Sequence, residues 1–159
     1  MEIRVYHCSH LPEVLNLSVR AWEPVFTSIR NQLPANVYAF FYPEGWESSQ
    51  RTVVEKACKN PDLEVWVAEI ENIPAGFVAI KPDEESKMGE IYLIAVDPVH
   101  QGNGIAKALG DFALKRLKDL GMEVVMVETG GDPCHAAARK TYEKLGFQLL
   151  PIARYFQHV

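Results

Sequence analysis

The chain has 159 residues, a formal net charge of −5 and 48% hydrophobic side chains. This is the size of one domain, residues 1–159, with enough apolar material for a core. The acidic balance argues against nucleic acid as the main partner, because phosphate backbones call for clustered Lys and Arg, and no apolar run approaches the roughly eighteen residues that cross a bilayer, so no membrane partner is expected.

In chain order, Glu2–His7 alternates polar and apolar as a half-buried strand does. No basic segment followed by an apolar stretch opens the chain, so no secretory signal is expected. His7, Cys8 and His10 cluster but match no zinc spacing, and no metal is expected. The three cysteines, Cys8, Cys58 and Cys134, are odd in number and widely spaced, which fits a reducing, cytoplasmic setting better than a disulfide scaffold. Ser9 is positioned to cap a helix with Pro12 in its first turn. That helix runs to about Leu33, with Pro24 as a point of kinking or splitting. An aromatic loop follows, with Tyr38, Phe40, Phe41, Tyr42 and Trp46. A second helix, about Glu47–Lys59, carries Val53, Val54 and Ala57 on one face.

Strands come next. Leu63–Ile70 and Ala75–Lys81 flank the turn Glu71-Asn72-Ile73-Pro74, and a charged loop leads to Glu90–Val96, the most strand-like segment of the chain. Asn103–Leu120 reads as a helix closed by Gly121, Met122–Glu128 as a strand, and Pro133–Leu145 as a helix closed by Gly146. Two short strands are expected near Phe147–Leu150 and Ala153–Gln157. The order describes a single α/β (α+β) domain with a central twisted mixed sheet flanked by helices.

The segment from Glu90 to Ala106 carries the chemistry. A buried strand stops at Asp97-Pro98, and a turn with Gly102 and Gly104 opens directly onto a helix. Free N–H groups and a positive helix end at one point suit an anion, best of all a phosphate. A P-loop would need GxxxxGK[ST], which is absent. A dinucleotide fingerprint would need a third glycine where Lys107 stands, and five residues, Asp97 to Gln101, already separate Val96 from Gly102. Gln101-x-x-Gly104-x-Ala106 instead resembles the [Gln/Arg]-x-x-Gly-x-[Gly/Ala] signature of the GNAT (GCN5-related) N-acetyltransferases. His135-x-x-Ala138-x-x-x-Tyr142-Glu143-Lys144-Leu145-Gly146-Phe147 is similar to a second motif of that family, in which Asn usually stands where this chain has His135. The resemblance covers about Leu63–Phe147.

The resemblance implies a GNAT-like fold, splayed between the strands that end at Val96 and Glu128. It implies acetyl-CoA as cosubstrate, without a metal, and an amine of a small molecule or peptide as acceptor. The pyrophosphate would sit on the N–H groups of Gln101, Gly102, Asn103, Gly104, Ile105, Ala106 and Lys107. The pantetheine arm would lie along Ile94, Ala95 and Val96, a backbone N–H near Val96 would meet the oxyanion, and His135 would stand in for the Asn that contacts the cofactor. Glu90, six residues before Val96, is the candidate base, with Glu128 as the alternative; period-two alternation sets Glu90, Tyr92, Ile94 and Val96 on one face. Tyr142 takes the position of the family's thiolate-protonating tyrosine. Trp22, Phe26, Glu23, Glu44 and Glu47 are candidates for an acceptor pocket that attracts a cation. Dimers are common in the family, so a homodimer is one expected arrangement. A non-catalytic acyl-CoA-binding module of the same fold is the rival reading, and a nucleotide-binding protein a third.

Overall fold

The computed structural model describes residues 1–159. A five-stranded sheet in the order β1-β2-β3-β4-β5 forms the middle layer. β1 (Glu2–Val5), β2 (Glu64–Ile70), β3 (Ile73–Asp83) and β4 (Met88–Val96) pair antiparallel in succession, and β5 (Val124–Val127) lies parallel to β4. The expected mixed sheet is therefore present, with helices on both faces.

On one face pack α1 (Leu11–Gln32) and α3 (Trp46–Lys59). Val14 and Leu17 of α1 and Val54 of α3 meet Val65, Val67, Phe77, Ala79 and Ala95. On the other face lies α4 (Ile105–Asp119). Its Ile105, Leu109, Ala113 and Leu117 recur every fourth residue and form the stripe that covers Val78, Ile80, Ile91 and Val96. Each fully buried Val, Ile or Leu among them contributes about 1.5–3 kcal/mol. α5 (Ala136–Lys144) follows β5.

Three expectations change. The aromatic loop contains a short helix, α2 (Ala35–Phe41), which starts directly after Pro34. α1 runs unbroken across Pro24, and the cap before it is made by His7, whose ring accepts the Ser9 N–H, and not by Ser9. No strand follows α5: residues 148–159 are exposed. Pro151 removes a ladder donor from that segment, and its side chains turn elsewhere, Arg154 to Glu128 at 3.0 Å and Phe156 to Phe41 of α2.

Two irregularities of β4 shape the site. It pairs with β5 only from Met88↔Val124 to Ile91↔Val127, so from Tyr92 to Val96 it has a partner on the β3 side alone. The sheet forks there because the turn-forming run Thr129-Gly130-Gly131-Asp132-Pro133 takes the chain away into α5. Beside the fork is a bulge: Ile80 faces Ile91 and Ala79 faces Leu93, leaving Tyr92 as the extra residue.

Candidate active site

The longer arm of the fork ends in a backbone anion cradle. Asp97 caps a 3-10 turn, Pro98–His100, by accepting the Val99 N–H at 3.2 Å. The Gln101 side-chain amide then donates to the Val96 carbonyl at 3.1 Å and folds the loop back on the strand end. Gly102 and Gly104 hold φ of +80° and +78°. This left-handed backbone costs an L side chain about 1–2 kcal/mol, so glycine is needed here for the backbone path itself. In α4 the first N–H to find an acceptor is that of Ala108, bonded to the Gly104 carbonyl at 3.0 Å, and no side chain caps the helix. The Gln101 N–H, expected in the cradle, is taken by the Pro98 carbonyl at 3.3 Å, and the N–H groups of Gly102, Asn103, Gly104, Ile105, Ala106 and Lys107 are six in a row without a protein acceptor. The Lys107 ammonium itself is taken by Asp111 at 2.7 Å.

This cradle is anchored from α1. The Arg20 guanidinium bonds the Asp97 carboxylate, whose side chain is only 6% exposed, and reaches Glu13 at 2.7 Å. Burial opposes ionisation of Asp97, but the Arg20 guanidinium and the Val99 N–H outweigh it and hold the carboxyl below the usual range.

The shorter arm ends in a network of side chains. Asp132 caps a second 3-10 turn, Pro133–His135, by accepting the Cys134 N–H at 2.9 Å on Oδ1. The same oxygen accepts the Ser28 hydroxyl of α1 at 3.1 Å, and Oδ2 faces His135 Nδ1 at 2.5 Å. Arg139 closes the loop by donating to the Gly130 and Asp132 carbonyls at 2.6 and 2.7 Å. A Cβ on Gly130 would lie 2.4 Å from His135 Nδ1 and 2.6 Å from Asp132 Oδ2, so only glycine fits behind the pair. Burial opposes the Asp132 charge, yet His135, the Cys134 N–H and the Ser28 hydroxyl together keep its carboxyl low. Between this turn and the C-terminal half of α1 lies a cleft of about 520 Å³, lined by Glu23, Ser28, Asn31, Gln32 and Cys134 among others.

The structure distributes the expected site residues as follows. Ile94 and Val96 pack toward α4, while Ala95 and Leu93 pack toward α1 and α3. Because Tyr92 is the bulged residue, Glu90 does not share a face with Ile94 and Val96. The strict alternation expected from the sequence is broken, and Glu90, adjacent to Ile91 on the α4 side, falls on the α1 side with Leu93 and Ala95. It stands one pair below the fork, opposite Met126. Tyr142 lies on α5, its ring edge-on to Phe147, and burial pushes its phenol up to about 12. Glu128 is exposed and paired with Arg154. Trp22 packs on Phe77, and Phe26 stacks on Trp46, so these aromatics serve the core as much as any pocket wall.

Residues 32–147 match the acetyltransferase (GNAT) family. The chain belongs to this family. It is similar to a mycothiol acetyltransferase of Rhodococcus opacus (strain B4), with 31% identity over 153 residues, 93% of this chain and 46% of the relative. The chain spans less than half the length of the curated relatives it matches. Among solved structures, an aminoglycoside 6'-N-acetyltransferase from Acinetobacter haemolyticus superposes with a TM-score of 0.67 at 18% identity, covering 100% of this chain and 99% of that one. The enzyme AAC(6')-Iy, in complex with a bisubstrate analog of CoA and acetylneamine, superposes at 0.66 and 15% identity, covering 99% and 97%. Within this GNAT chain, sequence reasoning passed over Arg20, Asp97 as a buried anchor, and Asp132. A signal for the two aspartates was present: Asp97-Pro98 and Asp132-Pro133 both place a capping side chain before a proline that needs no hydrogen-bond acceptor.

Proposed function

We propose that this GNAT domain moves an acetyl group from acetyl-CoA to an amine of a small molecule or peptide, by direct attack of the amine on the thioester. One observation carries the reading. A strand edge left bare by the fork, Tyr92–Val96, leads straight into six unpaired N–H groups. That is the fit an extended amide-bearing arm with a pyrophosphate at one end requires: the arm adds to the strand edge, and the phosphates take the N–H groups. With the phosphates at the loop, the arm runs back along β4 and its thioester arrives at the fork.

The groups at the fork then have distinct tasks. Glu90, on the α1 side, takes the ammonium proton and leaves a neutral nucleophile. Tyr142 supplies a phenol that stays protonated at working pH and donates to the sulfur as it leaves. Its raised pKa opposes full transfer, although a thiolate in the same dry pocket is destabilised in the same way. The cleft beside α1 is lined mostly by polar residue types, Glu23 among them, which favours a hydroxylated or amide-rich cationic acceptor, and the relatives named for mycothiol and aminoglycosides support that class. The free thiols of Cys8, Cys58 and Cys134 fit a cytoplasmic setting.

Acetyl-CoA at a hundred times its dissociation constant should stabilise the fold by about 2.7 kcal/mol, read as a rise in Tm. An amine panel scored by release of free thiol then tests transfer. No shift in Tm at millimolar acetyl-CoA defeats the cosubstrate assignment. A shift without thiol release from any amine favours the acyl-CoA-binding module.

A further inference from the structure

We propose that His135 and Asp132 form an acid–base pair of the reaction, in which His135 Nε2 carries a proton from the attacking nitrogen to the departing sulfur and Asp132 is the positioning residue. This rests on the acetyl-transfer reading above, and it concerns the one position where the second motif departs from its family.

The geometry assigns the protons. Asp132 is ionised and spends Oδ1 on Ser28 and Cys134 and Oδ2 on His135 Nδ1. An ionised carboxylate accepts, so Nδ1 carries the hydrogen, and in the neutral ring the lone pair is on Nε2. Nε2 has no hydrogen-bond partner, on a side chain that is only 16% exposed. The pair is built to hold its shape: Gly130 leaves the room, Arg139 clamps both carbonyls behind it, and Ser28 ties it to α1. It borders the cleft that Ser28 and Cys134 help to line. His135 ends the 3-10 turn that leads into α5, and Tyr142 lies near the other end of that helix. The titratable and charged groups at the turn are Asp132 and Cys134 within it, Arg139 of α5, which bonds its carbonyls, and Glu23 of α1, which lines the same cleft as Cys134.

The chemistry leaves a task that Tyr142 alone fills poorly. When the amine attacks, a C–N bond forms and the carbonyl π pair moves to oxygen, leaving a positive nitrogen that still bears a proton. Nε2 takes that proton, and the resulting imidazolium is balanced by Asp132. The oxygen pair re-forms the carbonyl, the C–S bond breaks, and its electron pair leaves on sulfur. Nε2 delivers the proton to sulfur, while the Tyr142 hydroxyl hydrogen-bonds the sulfur and keeps its own proton, giving free thiol, amide and a neutral ring. An imidazole suits such two-way transfer near neutral pH better than a phenol that burial makes reluctant to ionise.

The test has two readouts. Nitrogen-15 NMR of the ligand-free protein should show His135 with hydrogen on Nδ1, a preference that Asp132→Asn removes. With acetyl-CoA and the best amine of the panel, His135→Asn should lower kcat by about 100-fold and change its pH–rate profile, while calorimetry shows acetyl-CoA affinity unchanged. Asp132→Asn should lose kcat in the same direction, with a melting curve to separate a local loss of fold. A ring hydrogen on Nε2 in the wild type, or wild-type kcat and pH profile in His135→Asn, overturns the proposal. So does a variant that only weakens acetyl-CoA binding. Failure of the wild type to bind acetyl-CoA would overturn the functional reading itself, and it is seen before any variant is made.

Discussion

The two arms of the fork build their ends from different materials. At the end of β4 the cradle is backbone: six N–H groups on a path set by two glycines, anchored from below by Asp97 and Gln101. At the end of β5 the wall is side chain: Asp132, His135, Ser28 and Arg139 bonded into one unit around Gly130. A backbone site tolerates changes of side chain but not of φ. A side-chain site tolerates neither a lost hydrogen-bonding group nor an added Cβ, because both Asp132 oxygens and His135 Nδ1 have assigned partners.

Four substitutions sharpen that contrast. The largest effect is expected from Gly104→Val. A β-branched residue at φ +78° is strained, and the strain falls on the cradle. A Cβ at Gly104 meets no neighbour, so the domain should still fold while calorimetry shows acetyl-CoA binding lost. Wild-type affinity in this variant would break the backbone account.

Glu90→Gln should come next. The variant should be about 100-fold slower near pH 7 and recover part of the deficit in alkali, where the acceptor is already neutral, with acetyl-CoA affinity held. Overlaid pH–rate profiles would move the search to Glu128 or to an acceptor that arrives without its proton.

Tyr142→Phe should lower kcat by about ten- to a thousand-fold without changing acetyl-CoA affinity, since the phenol acts only as sulfur departs. Burial pushes this phenol up to about 12, so any alkaline fall in kcat from Tyr142 should lie above the ordinary tyrosine range. An unchanged kcat would assign the ring to packing alone.

The smallest effect concerns stability. Asp97→Asn removes a carboxylate held by Arg20 and should cost about 1–2 kcal/mol near neutral pH, seen as a lower Tm. The folded pKa of Asp97 is depressed, so its contribution is present above the unfolded value of about 3.9 and is lost as pH falls through the folded one. The Tm values of variant and wild type should therefore converge in acid. A gap that persists there would mean that shape, not charge, makes the contact.

The unequal legibility of the two ends has the same root. Gly102, Gly104 and the helix that starts beside them are local in sequence, and local spacing determines where orphan N–H groups gather. The alternation of β4 and the four-residue stripe of α4 likewise declare strand and helix without help from the rest of the chain. Apart from α2 and the tail after α5, the sequence by itself determined the element order, the mixed sheet, the glycine turn that leads into α4 and the family. Tertiary structure alone decided the rest, because it depends on contacts between distant residues. The bulge at Tyr92 moves Glu90 to the other face through pairing with β3. Arg20 reaches Asp97 across 77 positions, and Ser28 reaches Asp132 across 104. The tail after α5, strand-like in composition, forms no strand because Arg154 and Phe156 are committed to Glu128 and Phe41 and Pro151 lacks a donor. Periodicity reports what a residue prefers locally; only packing reports which partner claims it.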